Sequence, residues 1–143
     1  MSVQIMLAEK GRDIYSVQNT VKLREAIALL NEKNIGAVLV TDNAGKLAGI
    51  LSERDIVRRS LMQETGFRDE PVTKSMTSKV LTVPSSASLD DVMAVMTNSK
   101  IRHVPVLDGD EIKGVISIGD VVKRKIALAE GEAAMMRSYI AAG

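Results

Sequence analysis

An internal repeat constrains the fold of this chain more than any other feature. Residues 14–42 align with residues 80–108 at a shift of 66 positions, and the alignment continues at a shift of 65 after one deletion in a turn. The identical pairs include Val17/Val83, Leu23/Leu89, Val38/Val104, Val40/Val106, Asp42/Asp108, Gly49/Gly114, Ser52/Ser117 and Asp55/Asp120. One copy of about 60 residues buries only a thin core, so the two copies are expected to pack against each other.

Each copy has the hydrophobic pattern of a β-α-β-β-α unit. Apolar residues at helical spacing follow a short strand, and two further strands are joined by turns rich in Asp, Asn and Gly. The predicted strands are 14–17, 37–41 and 47–51 in the first copy and 80–83, 103–107 and 112–117 in the second. The candidate caps of the first helices are Asn19, Thr20, Ser86 and Ser88. We therefore predict a mixed α/β (α+β) fold of two repeats packed face to face with pseudo-two-fold symmetry.

The repeats also divide the chain into segments. We expect an N-terminal helix at 1–13, repeats at 14–62 and 80–128, a linker at 63–79 and a C-terminal helical extension at 129–143. In the last helix, apolar residues recur at alternating steps of four and three: Val122, Ile126, Ala129, Ala133, Met136 and Ile140. This spacing is typical of a helix–helix seam. Either the helix lies on its own domain or it associates with a second copy, and we favour the second interpretation.

Composition excludes several classes of function. The net charge of +1 and the low aromatic content argue against nucleic acid or an anionic membrane as a partner. With no cysteine and one histidine, thiolate or multi-imidazole metal sites and Ser-His-Asp catalysis are not expected. No Walker-type phosphate loop occurs, and neither a signal peptide nor a run of about 20 apolar residues is found. We expect a cytoplasmic protein that is not an enzyme and has no metal or catalytic cofactor.

A Ser-x-x-Asp motif follows a strand and opens a helix in both copies, as GILSERD at 49–55 and GVISIGD at 114–120. A helix N-terminus presents unpaired N–H groups that suit phosphate, and an aspartate there can accept hydrogen bonds from the two hydroxyls of a ribose. The alternative is a capping box, in which Ser and Asp only satisfy the helix start. Both interpretations remain open. Arg54, inside the first motif, is a candidate to reach a ligand phosphate.

The strand that opens with Arg102 and His103 is a second candidate site. The planar guanidinium of arginine suits phosphate, whereas a lone histidine is more often structural. Pro105 cannot donate to a β-ladder, so this strand should lie at a sheet edge or border a pocket. The first copy has Gly36 and Ala37 at the positions of Arg102 and His103, so the second copy is expected to hold the better anion site.

Taken together, these motifs resemble a tandem cystathionine-β-synthase (CBS) domain, or Bateman module, over residues 14–125. The resemblance is carried by SVxxxxxLxxAIxLLxxxxIGAVLVTD, by TVxxxxxLDDVMAVMTNSKIRHVPVLD, and by the two Ser-x-x-Asp motifs. It implies an adenosine-containing ligand: AMP first, with ADP, ATP, NAD(H) and S-adenosylmethionine as alternatives. It also implies a homodimer and a regulatory output to an unknown effector protein. The alternative function is a structural homodimerisation module without a physiological ligand.

The resemblance also implies residue roles. The residues that it places at ribose or phosphate are Ser52, Arg54, Asp55, Arg102, His103, Ser117 and Asp120. Those that it places around the adenine are Ser16, Val80, Thr82, Val104 and Pro105. Ala37 borders the first site, where the missing Arg-His pair puts phosphate binding in question.

Overall fold

The computed structural model describes residues 1–11, 13–62 and 65–142, which form both helices and strands. The elements are α1 (Val3–Lys10), β1 (Ser16–Gln18), α2 (Leu23–Lys33), β2 (Ala37–Thr41), β3 (Leu47–Ser52), α3 (Glu53–Met62), α4 (Leu89–Ser99), β4 (His103–Asp108), β5 (Glu111–Ser117) and α5 (Ile118–Ala142). Short 3-10 turns at Phe67–Asp69 and Val72–Lys74 lie between α3 and α4. The mixed α+β prediction is confirmed. The first two residues of the predicted linker and the last residue of the predicted extension lie outside the described residues.

The two halves contain unequal sheets. In the first half, β1 pairs in parallel with β2, and β2 pairs antiparallel with β3. In the second half, β4 and β5 form a two-stranded antiparallel sheet. The strand predicted at 80–83 is reduced to one bridge between Val83 and Val106.

Proline explains this difference. In the first half, the amide of Leu39 donates to the carbonyl of Tyr15 at 3.2 Å. The repeat alignment places Pro105 at the position of Leu39, and Pro105 has no N–H to donate. Beyond the bridge, the amide of Ser85 donates to the Asp108 carboxylate at 2.9 Å and not to a strand carbonyl, so the parallel ladder ends there.

The helix that follows the first strand is capped differently in the two halves. At α4, Ser88 and Asp91 form a capping box: the Ser88 amide donates to the Asp91 carboxylate at 2.9 Å, and the Asp91 amide donates to Ser88 Oγ at 3.0 Å. At α2, Lys22 holds the cap position, and its amide donates to the Glu25 carboxylate at 3.0 Å. Of the four candidate caps, only Ser88 therefore caps its helix.

Each half has its own hydrophobic core, completed by the segment that precedes the other repeat. Val3 and Met6 of α1 are buried in the core of the second repeat, whereas Val72 of the linker is buried in the core of the first. The remaining buried residues are Leu23, Ala26, Leu30, Val38, Val40 and Leu51 in the first core and Val83, Ala87, Leu89, Val92, Met96, Val104, Val106, Ile116 and Val121 in the second. This exchange joins the halves and places residues that precede each repeat beside the other repeat's motif.

The C-terminal helix extends away from both cores. Val121 is its only buried described residue, and every residue from Lys125 to Ala142 is exposed. No helix formed by the described residues combines the length and hydrophobicity needed to cross a bilayer.

Candidate functional site

A large cleft lies between the two halves. Its volume is about 1140 Å³, which reaches the upper end of the range common for small-molecule sites. Both halves contribute to its wall: β2 and the start of α3 from the first, and the starts of β4 and α5 from the second. The residues just before each repeat complete it.

Both motif aspartates cap their own helices. The Oδ2 atom of Asp55 accepts from the Ser52 amide at 2.9 Å and from Ser52 Oγ at 3.1 Å. The Oδ2 atom of Asp120 accepts from the Ser117 amide and from Ser117 Oγ, both at 2.9 Å. These hydrogen bonds confirm the capping interpretation. The cap uses only one oxygen of each carboxylate, so it does not by itself prevent the other oxygen from binding a ligand.

The second oxygens of the two carboxylates have different environments. In the first motif, Oδ1 of Asp55 accepts from Thr77 Oγ1 at 3.1 Å, and the residue is only 8% exposed. In the second, none of the described residues donates to Oδ1 of Asp120. The side chain of Asp120 is 27% exposed, and Lys10 Nζ donates to its Oδ2 at 2.7 Å. The Asp120 carboxylate is therefore the more accessible of the two.

The same contacts set the charge of Asp120. Burial favours the neutral carboxyl, but hydrogen bonds from Lys10 and Ser117 and the charge of Lys10 outweigh it and hold the pKa of Asp120 below its ordinary value. The carboxylate is ionised at neutral pH and acts only as an acceptor. Hydroxyl donors, such as a vicinal diol, suit such a group.

His103 lines the cleft, and its ring approaches Gly36 of the opposite half. A Cβ at Gly36 would lie 3.1 Å from Cε1 and 3.2 Å from Nε2 of the His103 ring, so the ring would have to shift by a few tenths of an ångström to admit one. Burial lowers the pKa of His103, and the nearby Lys10 and Arg102 charges add to this effect, whereas the carboxylates of Glu53 and Asp120 oppose it. The imidazole is consequently neutral at neutral pH.

Two arginines also border the cleft. Arg102 is exposed on its wall, with no hydrogen-bond acceptor among the described residues. Arg54 crosses from the first half to the second, where Nη1 donates to the Lys100 carbonyl at 3.0 Å. Arg54 therefore joins the halves in addition to lining the cleft.

The structure brings together most of the residues selected from sequence. Those lining the cleft are Ala37, Ser52, Arg54, Asp55, Val80, Arg102, His103 and Ser117. Those outside the lining are Ser16, Thr82, Val104, Pro105 and Asp120. Val104 and Pro105 are buried beneath the wall, whereas Ser16 and Thr82 are exposed elsewhere. Asp120 lies behind Lys10, which itself lines the cleft.

Sequence reasoning missed Lys10, Thr77, Tyr15 and Glu53, all of which line the cleft. Lys10 and Thr77 precede the two repeats at nearly corresponding positions. The sequence carries no signal for them, because the repeat alignment gives no identical pair upstream of residue 14. For metals the result is simpler: within residues 1–11, 13–62 and 65–142, no three His, Asp or Glu side chains cluster as metal ligands.

The fold and the cleft define a tandem-repeat module with two pseudo-symmetric halves. A family model of the CBS domain matches this chain twice, at residues 10–62 and 71–126. The chain belongs to the CBS-domain family. The resemblance inferred from the repeats is thereby confirmed over most of the chain.

Solved structures show the same architecture. A CBS-domain protein from Agrobacterium tumefaciens is 39% identical, with a TM-score of 0.83 over 87% of this chain and 92% of that one. A CBS-domain protein from Burkholderia ambifaria is 43% identical, with a TM-score of 0.79 over 87% and 91%. The CBS domain pair of protein MJ0100, solved in complex with 5'-methylthioadenosine and S-adenosylmethionine, is 25% identical, with a TM-score of 0.77 over 92% and 98%.

Curated relatives extend beyond the matched region. A 17.7 kDa protein of Acidianus ambivalens is 32% identical over 111 residues, which are 77% of this chain and 66% of that protein. The mitochondrial CBS-domain protein CBSX3 of Arabidopsis thaliana is 32% identical over 123 residues, which are 83% of this chain and 60% of that protein. This chain thus spans less than two thirds of the length of these relatives.

Proposed function

We propose that this chain is a regulatory module that binds an adenine nucleotide in the cleft between its repeats. The observation that carries the proposal is the Asp120 carboxylate, which is ionised, part-exposed and situated at the N-terminus of α5 beside a large cleft. An accepting carboxylate next to a helix N-terminus offers complementary partners for a ribose diol and for a phosphate. Both groups occur together in a nucleotide.

The cleft residues supply partners for each part of such a ligand. Asp120 and Ser117 would hold the ribose, and Arg102 would contact the phosphate. The neutral His103 imidazole can donate one hydrogen bond to the phosphate. Val80 would contact the adenine. Protein MJ0100, which is related over nearly its whole domain pair, was solved with two adenosine-containing molecules, and this supports an adenosine-containing ligand here.

Ligand binding would regulate by changing the relative position of the halves. A ligand shifts such an equilibrium only when it binds one arrangement better than another. The Arg54–Lys100 bond and the His103–Gly36 contact both cross the cleft, so a molecule between the halves would compete with or reinforce them. An effector protein would then read the new arrangement. We propose a regulatory role for the cleft and no reaction.

Isothermal titration with AMP, ADP, ATP, NAD(H) and S-adenosylmethionine tests this function. We expect saturable heat and thermal stabilisation with at least one of them, because a ligand that binds only the folded state stabilises it. Mass spectrometry of the protein purified under native conditions would identify a ligand already bound. The absence of binding to all five compounds would favour the alternative function, a structural homodimerisation module.

We also propose self-association of two copies through α3 and α5. Val57 and Leu61 on α3 are exposed at the positions that correspond to Val122 and Ile126 on α5, so the two helices present equivalent apolar faces. A two-fold interface uses the same patch on both copies, and a patch built from two similar apolar helices suits such an interface. In addition, most of the stability of a helix in a protein comes from the packing of its apolar face, and residues 125–142 are all exposed in the single chain.

A matched pair of substitutions tests the association. Met136 lies on the apolar seam, whereas Met135 is equally exposed but lies off it. We expect Met136→Glu to shift the protein from dimer to monomer in light scattering coupled to size exclusion, because it places a charge in the seam. Met135→Glu should leave the dimer intact. If both variants keep the mass of the wild-type dimer, the apolar seam is not the association surface.

A further inference from the structure

The two motif aspartates receive corresponding partners of different chemistry. The segment before the second repeat brings Thr77 to Asp55, and the segment before the first repeat brings Lys10 to Asp120. Each also bonds the same position of strand β3 or β5. Thr77 pairs through its backbone with Ile50, with both bonds at 2.9 Å, and Lys10 Nζ donates to the carbonyl of Val115 at 2.8 Å.

Packing supports this correspondence. A Cβ at Gly49 would meet Met76 Sδ at 2.6 Å, and a Cβ at Gly114 would meet Leu7 Cδ2 at 2.7 Å. The two glycines are identical partners in the repeat alignment. Each glycine therefore makes room for the segment that precedes the other repeat. Lys10 is thus built into the second site and is not a surface side chain that happens to lie nearby.

A ligand can displace Lys10 from Asp120, whereas the bond between Thr77 and Asp55 is buried and not accessible to a ligand. Both side chains of the ion pair contact solvent, with exposures of 38% for Lys10 and 27% for Asp120. Pairs with this exposure contribute little net stability, so a ligand hydroxyl can replace the ammonium at the carboxylate. Asp55, in contrast, is buried with both oxygens occupied.

The cleft as a whole carries an excess of positive charge. Three carboxylates line it: Asp13, Glu53 and Asp55. Six cations line it: Lys10, Arg54, Arg58, Lys79, Lys100 and Arg102. A cleft lined by one sign of charge attracts ligands of the opposite sign. An ammonium released inside this cleft would therefore be drawn to an anionic group of the ligand.

We propose that Lys10 makes the Asp120 site selective for phosphate-bearing adenosine compounds. Without ligand, its ammonium neutralises Asp120. When a ribose diol binds the Asp120 carboxylate, the Lys10 ammonium pairs with the ligand phosphate. Each charged group in the site therefore keeps a partner. A neutral adenosine displaces the ammonium without offering it a new partner, and a cationic sulfonium compound repels it. This inference rests on the proposed nucleotide site and names the residue that selects the ligand class.

Titration calorimetry with AMP and with adenosine tests the role of Lys10. We expect the wild type to bind AMP at least about tenfold more tightly than adenosine, since a hydrogen bond between charged groups is worth about that factor. Lys10→Gln should weaken AMP binding about tenfold and leave adenosine binding equal or tighter. Lys10→Arg, which keeps the charge, should retain the preference for AMP.

Lys123→Gln is the control for net charge, since Lys123 is exposed on α5 and does not line the cleft. It should bind both compounds like the wild type. If Lys10→Gln weakens AMP and adenosine by the same factor, or weakens neither, Lys10 does not select phosphate, although the proposed nucleotide site still stands. If the wild type binds adenosine as tightly as AMP, the role of Lys10 is refuted; if it binds neither of these nor ADP, ATP, NAD(H) or S-adenosylmethionine, the site is refuted as well.

Discussion

Replacement of Asp120 by alanine separates its role in the ligand site from its role as a helix cap. The variant loses the hydrogen bonds from Ser117 and the ion pair with Lys10. A lost cap and a lost part-exposed ion pair together cost about 1 to 2 kcal/mol of unfolding free energy. This corresponds to a decrease of roughly 3 to 6 °C in Tm.

The loss of affinity should exceed the loss of stability. A ribose diol donates two hydrogen bonds to an ionised carboxylate, and their removal costs about 2 kcal/mol or more, roughly a 30-fold increase in Kd. Calorimetric titration with AMP measures this change. Thermal unfolding of the same samples measures the stability, so the two effects are obtained from one preparation.

Asp91→Ala provides the matched control. At both helices the serine amide donates to the aspartate carboxylate and the aspartate amide donates to the serine Oγ. Ser117 lines the cleft beside Asp120, whereas neither Asp91 nor Ser88 lines it. We expect this variant to lose stability and to bind AMP like the wild type. The reasoning is refuted if the two variants bind AMP with equal affinity, because Asp120 would then be a cap only.

Two further predictions concern packing and pH. Gly49→Ala should destabilise the protein by about 2 kcal/mol in urea unfolding, because its Cβ would lie 2.8 Å from the backbone carbonyl of Thr77. Gly114→Ala should cost less, since it meets only the Leu7 side chain, which can rotate; equal costs would contradict this account. The pKa of His103 is lowered from 6.5 by folding, so the unfolded chain binds the proton more readily and stability should fall as pH drops through 6.5. Urea unfolding of wild type and His103→Gln checks this, and an equal loss in both proteins between pH 7 and about pH 5.5 would contradict it.

The sequence was sufficient to predict the fold because two independent patterns agreed. The repeat alignment required two similar units, and the helical and strand periodicities placed the elements of each unit. The boundaries of β2, predicted at 37–41, match the structure, and the helix that follows Ser117 begins at Ile118 as expected. Where the prediction was wrong, at strand 80–83, the cause was local: Pro105 has no amide to donate, and the amide of Ser85 donates to the Asp108 carboxylate instead of to a strand.

The candidate site was less accessible to sequence reasoning. Motifs within each repeat identified Asp55, Asp120 and the Arg102–His103 pair, because their residue types point to ribose and phosphate. The segments that come before the repeats carry no such motif, and only the folded chain shows that they cross to the opposite half. Lys10 and Thr77 reach the two aspartates in this way, so two carboxylates that look identical in sequence differ in exposure and in the charge of their partners.

The difference between the halves has a functional consequence that the repeats alone would not predict. Identical Ser-x-x-Asp motifs suggest two equivalent ligand sites. Yet the Asp55 carboxylate is buried with its oxygens occupied, and Gly36 stands where the second half has Arg102. We therefore expect one nucleotide per chain in titrations, bound in the half that contains Asp120.

The most direct test of the central claim is an amide chemical-shift titration of the labelled protein with AMP. If a nucleotide enters the cleft, the largest shifts should occur at amides on both of its walls, including Gly36, Ser117 and Gly119. The amides of the exposed end of α5 should shift little. Saturating AMP that moves none of the cleft amides, or that moves only amides outside the cleft, would contradict the account.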